Sequence, residues 1–206
     1  MTRNIDELNN IRSVDPRKYF EEMGLTEKEI EERMEFTEKA NSIFDLILVL
    51  ILLSDDRSET FYGSLRGRLE GDYLSLINEY AEPDDYLIDY ATDFSGNFID
   101  ATKDHIEDEW YTSADRSLFN AENSANDVMN YKEYQKAIKE GKTKKEWVTE
   151  KDAKVRKTHQ LVGGKKIGIN EMFYVGGIPM RFPKDYEYAE AFPQETVNCR
   201  CRLKYS

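Results

Sequence analysis

Proline is confined to Pro16, Pro83, Pro179, Pro183 and Pro193, and this distribution constrains the fold more than any other feature of the chain. A proline ring carries no N–H and clashes with the preceding turn of a helix. The stretch between Pro83 and Pro179 therefore leaves a long backbone free to coil. After Gly141, a natural helix C-terminus, glycines crowd in at Gly163-Gly164, Gly168 and Gly176-Gly177 and are joined by the three late prolines. The chain is predicted to be mainly α, with an elongated helical region over residues 1–141 followed by a small α+β module over 142–206.

Thr26 followed by Glu29 reads as a capping box. Met34, Phe36, Ala40, Ile43, Phe44 and Ile47 continue an apolar stripe at helical spacing, so one long helix over Glu27–Leu53 is expected. Its last turns, Ile43, Phe44 and the run Leu46–Leu53, are apolar on every side, which suits a helix buried all round or an oligomer contact. Ser54-Asp55-Asp56 can cap the next helix, whose period runs through Phe61, Tyr62, Leu65, Leu69, Tyr73, Leu74, Leu76 and Ile77. Gly63, Gly67 and Gly71 interrupt it at four-residue intervals, as a close helix crossing or simply a weak helix would. Glu82-Pro83-Asp84-Asp85 ends that unit, and helices over Tyr86–Trp110 and Ala114–Gly141 follow. In the module, Lys165–Ile169 and Met172–Val175 are expected to pair as short strands, with Ile178–Phe182 adding another.

A hydrophobic fraction of 39% is low for one compact globule, so the helical part is expected to lean on a partner. Charge is sharply divided. Residues 1–131 carry 12 Lys+Arg against 31 Asp+Glu, whereas residues 132–166 carry 12 against 5. The acidic body repels nucleic acid, so weak DNA contact would have to come from residues 132–166, with Lys136, Lys139, Lys142, Lys144, Lys145, Lys151, Lys154, Arg156, Lys157, Lys165 and Lys166. A solvated basic face explains the same lysines. The chain opens Met-Thr-Arg-Asn-Ile-Asp-Glu, without the apolar core of a signal peptide, and Leu46–Leu53 is far short of the roughly 20 residues that span a bilayer. A soluble cytoplasmic protein without membrane association is expected.

Scarce, chemically specific residues are gathered in the last third. His159, Cys199 and Cys201 supply an imidazole and two thiols, and Asp152, two helical turns before His159, shares its face if that segment is helical. These four residues are the candidate ligands of a structural zinc ion. The alternative is a pair of reduced, half-buried thiols beside a hydrogen-bonded histidine. Cys-x-Cys is tighter than most structural zinc spacings, and its cramped geometry disfavours a disulfide. Trp147 and Phe173 read as large apolar anchors, and Arg156 is placed to hold Asp152. No nucleophile, base and cleft can be assembled, so no catalytic residue is named.

The order Trp147-Val-Thr-x-x-Asp152-x-x-Val-Arg156-x-x-His159, then Gly163, Asn170-Glu171-x-Phe173, Pro183 and Asn198-Cys-Arg-Cys201, resembles the phage Mu protein F-like head-morphogenesis family. Upstream, Arg116-x-x-x-x-Asn120-Ala-Glu122-x-x-x-Asn126 with Tyr131 and Tyr134 resembles the helix that precedes this module in relatives. Residues 1 to about 110 match only in being helical. One departure is visible: relatives commonly have Asp-Gly after the histidine, where this chain has Val162-Gly163. The resemblance implies that Trp147, Asp152, Arg156, His159, Phe173, Cys199 and Cys201 stand on signature positions. It also implies a minor head protein that associates with the portal or major capsid protein during procapsid assembly and DNA packaging. Such a protein resides in the host cytoplasm during assembly and then in the virion head interior. The competing readings are a small metal-dependent nuclease and a DNA-binding accessory protein.

Overall fold

A computed structural model describes residues 15–189 and 191–206, and the chain is mainly helical with a small antiparallel α+β region at its C-terminal end. The opening segment read above for a signal peptide lies outside the described residues. Two compact units are present among the described residues: Glu32–Val128 forms one, and the described residues of 15–31 and 129–206 form the other. Gly141, with φ of +69°, still marks the change from long helix to strand, while the division between the units falls within two helices.

The helical unit is built from most of α2 (Glu27–Leu53), α3 (Glu59–Tyr80), α4 (Asp85–Asp104), a 3-10 turn (Glu109–Thr112) and the first part of α5 (Ala114–Lys139). The long α2 has the predicted bounds. Its capping box forms, with Thr26 N donating to Glu29 Oε2 at 2.7 Å and Glu29 N to Thr26 Oγ1 at 3.4 Å. The core is aromatic: Phe44 lies 5.3 Å from Tyr73, 4.9 Å from Phe94 and 5.4 Å from Phe98 between ring centroids.

Four expectations for this unit are corrected. The apolar end of α2 is not buried all round: Phe44, Ile47, Leu48 and Ile51 face inward at helical spacing, while Leu52 is 51% and Leu53 80% exposed. The cap of α3 is Ser58, whose Oγ accepts from Phe61 N at 3.2 Å. Ser54 and Asp56 instead accept from the backbone of the connecting turn, at Asp56 N and Ser58 N. Gly63, Gly67 and Gly71 meet no heavy atom within 4 Å of a Cβ, so they mark no close crossing. Farther on, the helix expected to reach Trp110 stops at Asp104, and Asp108 caps the separate 3-10 turn by accepting from Trp110 N at 2.9 Å.

The second unit contains α1 (Pro16–Glu21), the end of α5, and the segments after it: β1 (Lys144–Val148), α6 (Lys157–Val162), β2 (Lys166–Gly168), β3 (Phe173–Val175), β4 (Ile178–Met180), α7 (Tyr186–Ala189), α8 (Pro193–Thr196) and β5 (Arg202–Tyr205). β1 is the centre of an antiparallel sheet in the order β2-β1-β5, with Trp147 opposite Leu203 and Lys145 opposite both Ile167 and Tyr205. β2 therefore pairs with β1, not with β3 as expected; β3 pairs with β4. The reason is local. Gly176 and Gly177, at φ of +60° and +89°, form a two-residue hairpin turn that commits β3 to its successor. The N-terminal segment is tied to β5 and the loop before it, since Tyr19 Oη donates to the Cys199 carbonyl at 2.7 Å and Arg202 Nε to the Met23 carbonyl at 3.0 Å.

Candidate metal centre

Four separate pieces of chain converge on one buried cluster. β1 alternates Lys145 and Trp147 inward and Lys144 and Glu146 outward, as strand geometry requires. α6 turns His159 and Val162 to its buried side. Asn198, at a φ of +55°, turns the chain just before β5. In an extended segment residues i and i+2 point the same way, so Cys-x-Cys presents both sulfurs to one place. The tight spacing that argued against a common zinc pattern is what brings these thiols together.

His159, Cys199 and Cys201 are 1%, 1% and 3% exposed, and one ligand atom from each lies within 4.8 Å of the others. His159 Nδ1 is 3.3 Å from Cys201 Sγ and 3.5 Å from Cys199 Sγ. Its other nitrogen, Nε2, is 3.0 Å from Glu195 Oε2, which also accepts from Thr158 Oγ1 at 2.7 Å. Both cysteines are free thiols. The group can hold a metal ion. Nothing in its sequence signal points to Glu195, which lies in the four-residue helix α8; the carboxylate named with the cluster, as a fourth ligand, is Asp152.

Asp152 is not brought into the cluster. Its segment is a turn rather than a helix, because α6 begins only at Lys157, so the two-turn relation to His159 does not arise. Its carboxylate receives both terminal nitrogens of Arg200, at 2.8 and 2.7 Å, and Arg200 also reaches Glu22. Arg156 holds the Val197 carbonyl, not Asp152. Trp147, fully buried, packs edge-on against His159 at 5.9 Å and Phe173 at 5.1 Å, as an anchor should.

The electrostatics divide the two thiols. The hydrogen bond with Cys201, opposed by burial and reinforced by His159, holds Cys199 well below the usual thiol pKa. The same bond together with burial pushes Cys201 up. For His159, burial opposes the charged form, yet Cys199 and Glu195 outweigh it and raise the pKa above its ordinary value. Charge is thus favoured on Cys199 and on the imidazole that faces it. Beyond the sulfur pair, Lys145 is buried under the rings of Tyr134 and Phe173 and donates to the Arg181 carbonyl at 2.8 Å; desolvation lowers its pKa to about 8. This lysine was counted in the basic stretch and is removed from that surface.

The upstream positions are architectural as well. Arg116 is buried and donates to Thr102 Oγ1 at 2.7 Å, the Tyr111 carbonyl at 2.8 Å and the Phe98 carbonyl at 3.2 Å, linking α4 to the 3-10 turn. Asn130 Nδ2 donates to the Pro183 carbonyl at 3.1 Å.

The chain is thus helix-led, with an antiparallel C-terminal region in which buried polar groups pair with one another. The model of the family described as Phage Mu protein F like protein matches residues 94–204, more than half of the 206 residues, and the chain belongs to that family. It is a family of structural phage proteins, which makes this a phage head-related protein. No curated protein and no solved structure matches the chain. Among the described residues no helix is long and apolar enough to cross a membrane.

Proposed function

We propose that the chain is a minor head protein with an assembly role in the procapsid, associating with the portal or major capsid protein and assisting DNA packaging or ejection. The family match over residues 94–204 carries this reading. Its place would be the host cytoplasm during assembly and then the head interior. Burial of His159, Cys199 and Cys201 supports a structural rather than an enzymatic cluster, because a hydrolase needs its metal or nucleophile open to substrate. Zinc is the occupant that suits two thiolates and an imidazole. Co-sedimentation with portal-containing procapsids tests the assembly role. The expected result is retention of the chain with procapsids and its loss from particles lacking the portal, and failure to co-sediment with any head particle defeats the reading.

Weak DNA contact is supported by lysines that stay exposed, among them Lys136, Lys139, Lys144, Lys151, Lys157, Lys165 and Lys166. Cross-strand register aligns Lys166 and Lys204 on either side of Glu146 on the outward sheet face. Binding of this kind must weaken steeply with salt; an affinity indifferent to ionic strength would remove it.

A further inference from the structure

The two nitrogens of His159 face different chemistry. Nδ1 looks at two sulfurs, and Nε2 looks at a carboxylate. Building on the zinc reading above, we infer that the ion is held by His159 Nδ1, Cys199 Sγ and Cys201 Sγ, and that Glu195 is the positioning residue that holds the imidazole from its other side.

The geometry around Glu195 is specific to that task. A metal ion displaces the proton from Nδ1, and a carboxylate accepting from Nε2–H then keeps the remaining proton on the far nitrogen, so that the Nδ1 lone pair points at the thiols. The same oxygen is tied down by the Thr158 hydroxyl, one residue before the histidine. Room for it comes from the β3–β4 turn: a Cβ at Gly176 would sit 2.8 Å from Glu195 Oε1 and 3.3 Å from Thr158 Cγ2. Glu195 is only 12% exposed at its side chain, and it stands outside the set of mutually close ligand atoms. It therefore orients a ligand without being one.

Asp152 has no part in binding, since Arg200 occupies both its oxygens. Two thiolates neutralise a divalent ion, so the buried group carries no net charge beyond the paired carboxylate, which lowers the cost of burying it. Among the described residues no fourth imidazole, thiol or carboxylate joins the three ligand atoms.

The test uses the purified full chain, with zinc content by elemental analysis and affinity by competition against a chromophoric chelator. One zinc per chain is expected, and Cys199→Ser should abolish tight binding. Glu195→Leu should weaken zinc binding about 10- to 100-fold. Glu195→Gln, which keeps an oxygen acceptor, should lose less, and Asp152→Asn should bind as the unsubstituted chain does. In the cobalt-substituted protein, thiolate-to-metal charge-transfer bands should persist in Asp152→Asn and change shape in Glu195→Leu, a change that loss of general stability does not produce. Absence of zinc binding in the unsubstituted chain overturns the zinc reading itself. Tight zinc binding with full affinity in Glu195→Leu leaves that reading standing and overturns the role of Glu195; loss of binding in Asp152→Asn alone does the same.

Discussion

The two compact units are held together by different kinds of chemistry. In Glu32–Val128 the core is a set of overlapping aromatic and aliphatic contacts, in which Phe44, Tyr73, Phe94 and Phe98 share one another as neighbours. In the unit that ends the chain, a few buried polar groups have specific partners: His159 with two thiols and Glu195, Arg200 with Asp152 and Glu22, Lys145 with one carbonyl. A hydrophobic cluster spreads the loss of one member over many contacts, whereas a polar partner left alone in a buried site carries its full desolvation cost. The first unit should therefore tolerate volume-conserving change, and the second should not.

The largest expected effect is at Trp147, where that unit is both apolar and polar. Trp147→Ala should cost about 3–5 kcal/mol of stability. Denaturant unfolding followed by circular dichroism should show a transition at lower denaturant, and an unshifted midpoint would break the contrast. Next is the buried lysine. An amine whose folded pKa is held at about 8, below its unfolded value, is deprotonated in the native state while still protonated in the unfolded chain between pH 8 and about 10.5. Its contribution to stability thus rises with pH across that window, by roughly 3 kcal/mol, and is at its worst below pH 8. Comparison of the unfolding free energy with that of Lys145→Met at pH 7 and pH 10.5 isolates the effect; the same pH slope in both proteins would refute it.

One substitution tried in both units then sharpens the comparison. Gly176→Ala should destabilise by about 1–3 kcal/mol, because φ is +60° and a Cβ collides with Glu195. Gly67→Ala, on an exposed helix face with open space around it, should stabilise by about 0.5–1 kcal/mol. Thermal melts of the two variants should move in opposite directions, and movement in the same direction would mean that the glycines do not report the difference between the units.

Long-period features were legible in the sequence. The capping box at Thr26 and Glu29 and the apolar stripe behind it located α2 at both ends, because capping and 3.6-residue periodicity are local. The strands β1 and β5 were not recognised. β1 is rich in Lys and Glu, and its strand character comes from having a partner on each side rather than from its own alternation. The family signature was legible as spacing and order, and the match extends it upstream into α4. Of the two readings of the apolar end of α2, burial all round within the chain does not hold, since a continuous apolar run does not say which residues meet a partner.

Within the candidate site, the division follows the same line. His159, Cys199 and Cys201 stood out because their types are rare in this chain, and rarity is visible without coordinates. Glu195 is one acid among many and carries no local signal, while Asp152 was singled out by helical spacing along a segment that forms a turn. The sequence by itself determined the long helices in outline, the change of architecture after Gly141, the family, and which side chains carry metal-binding chemistry. Only the tertiary structure decided which carboxylate faces the histidine, which arginine answers Asp152 and which lysine is buried. These pairings join residues 36 to 48 positions apart, and no local periodicity encodes contacts at that distance.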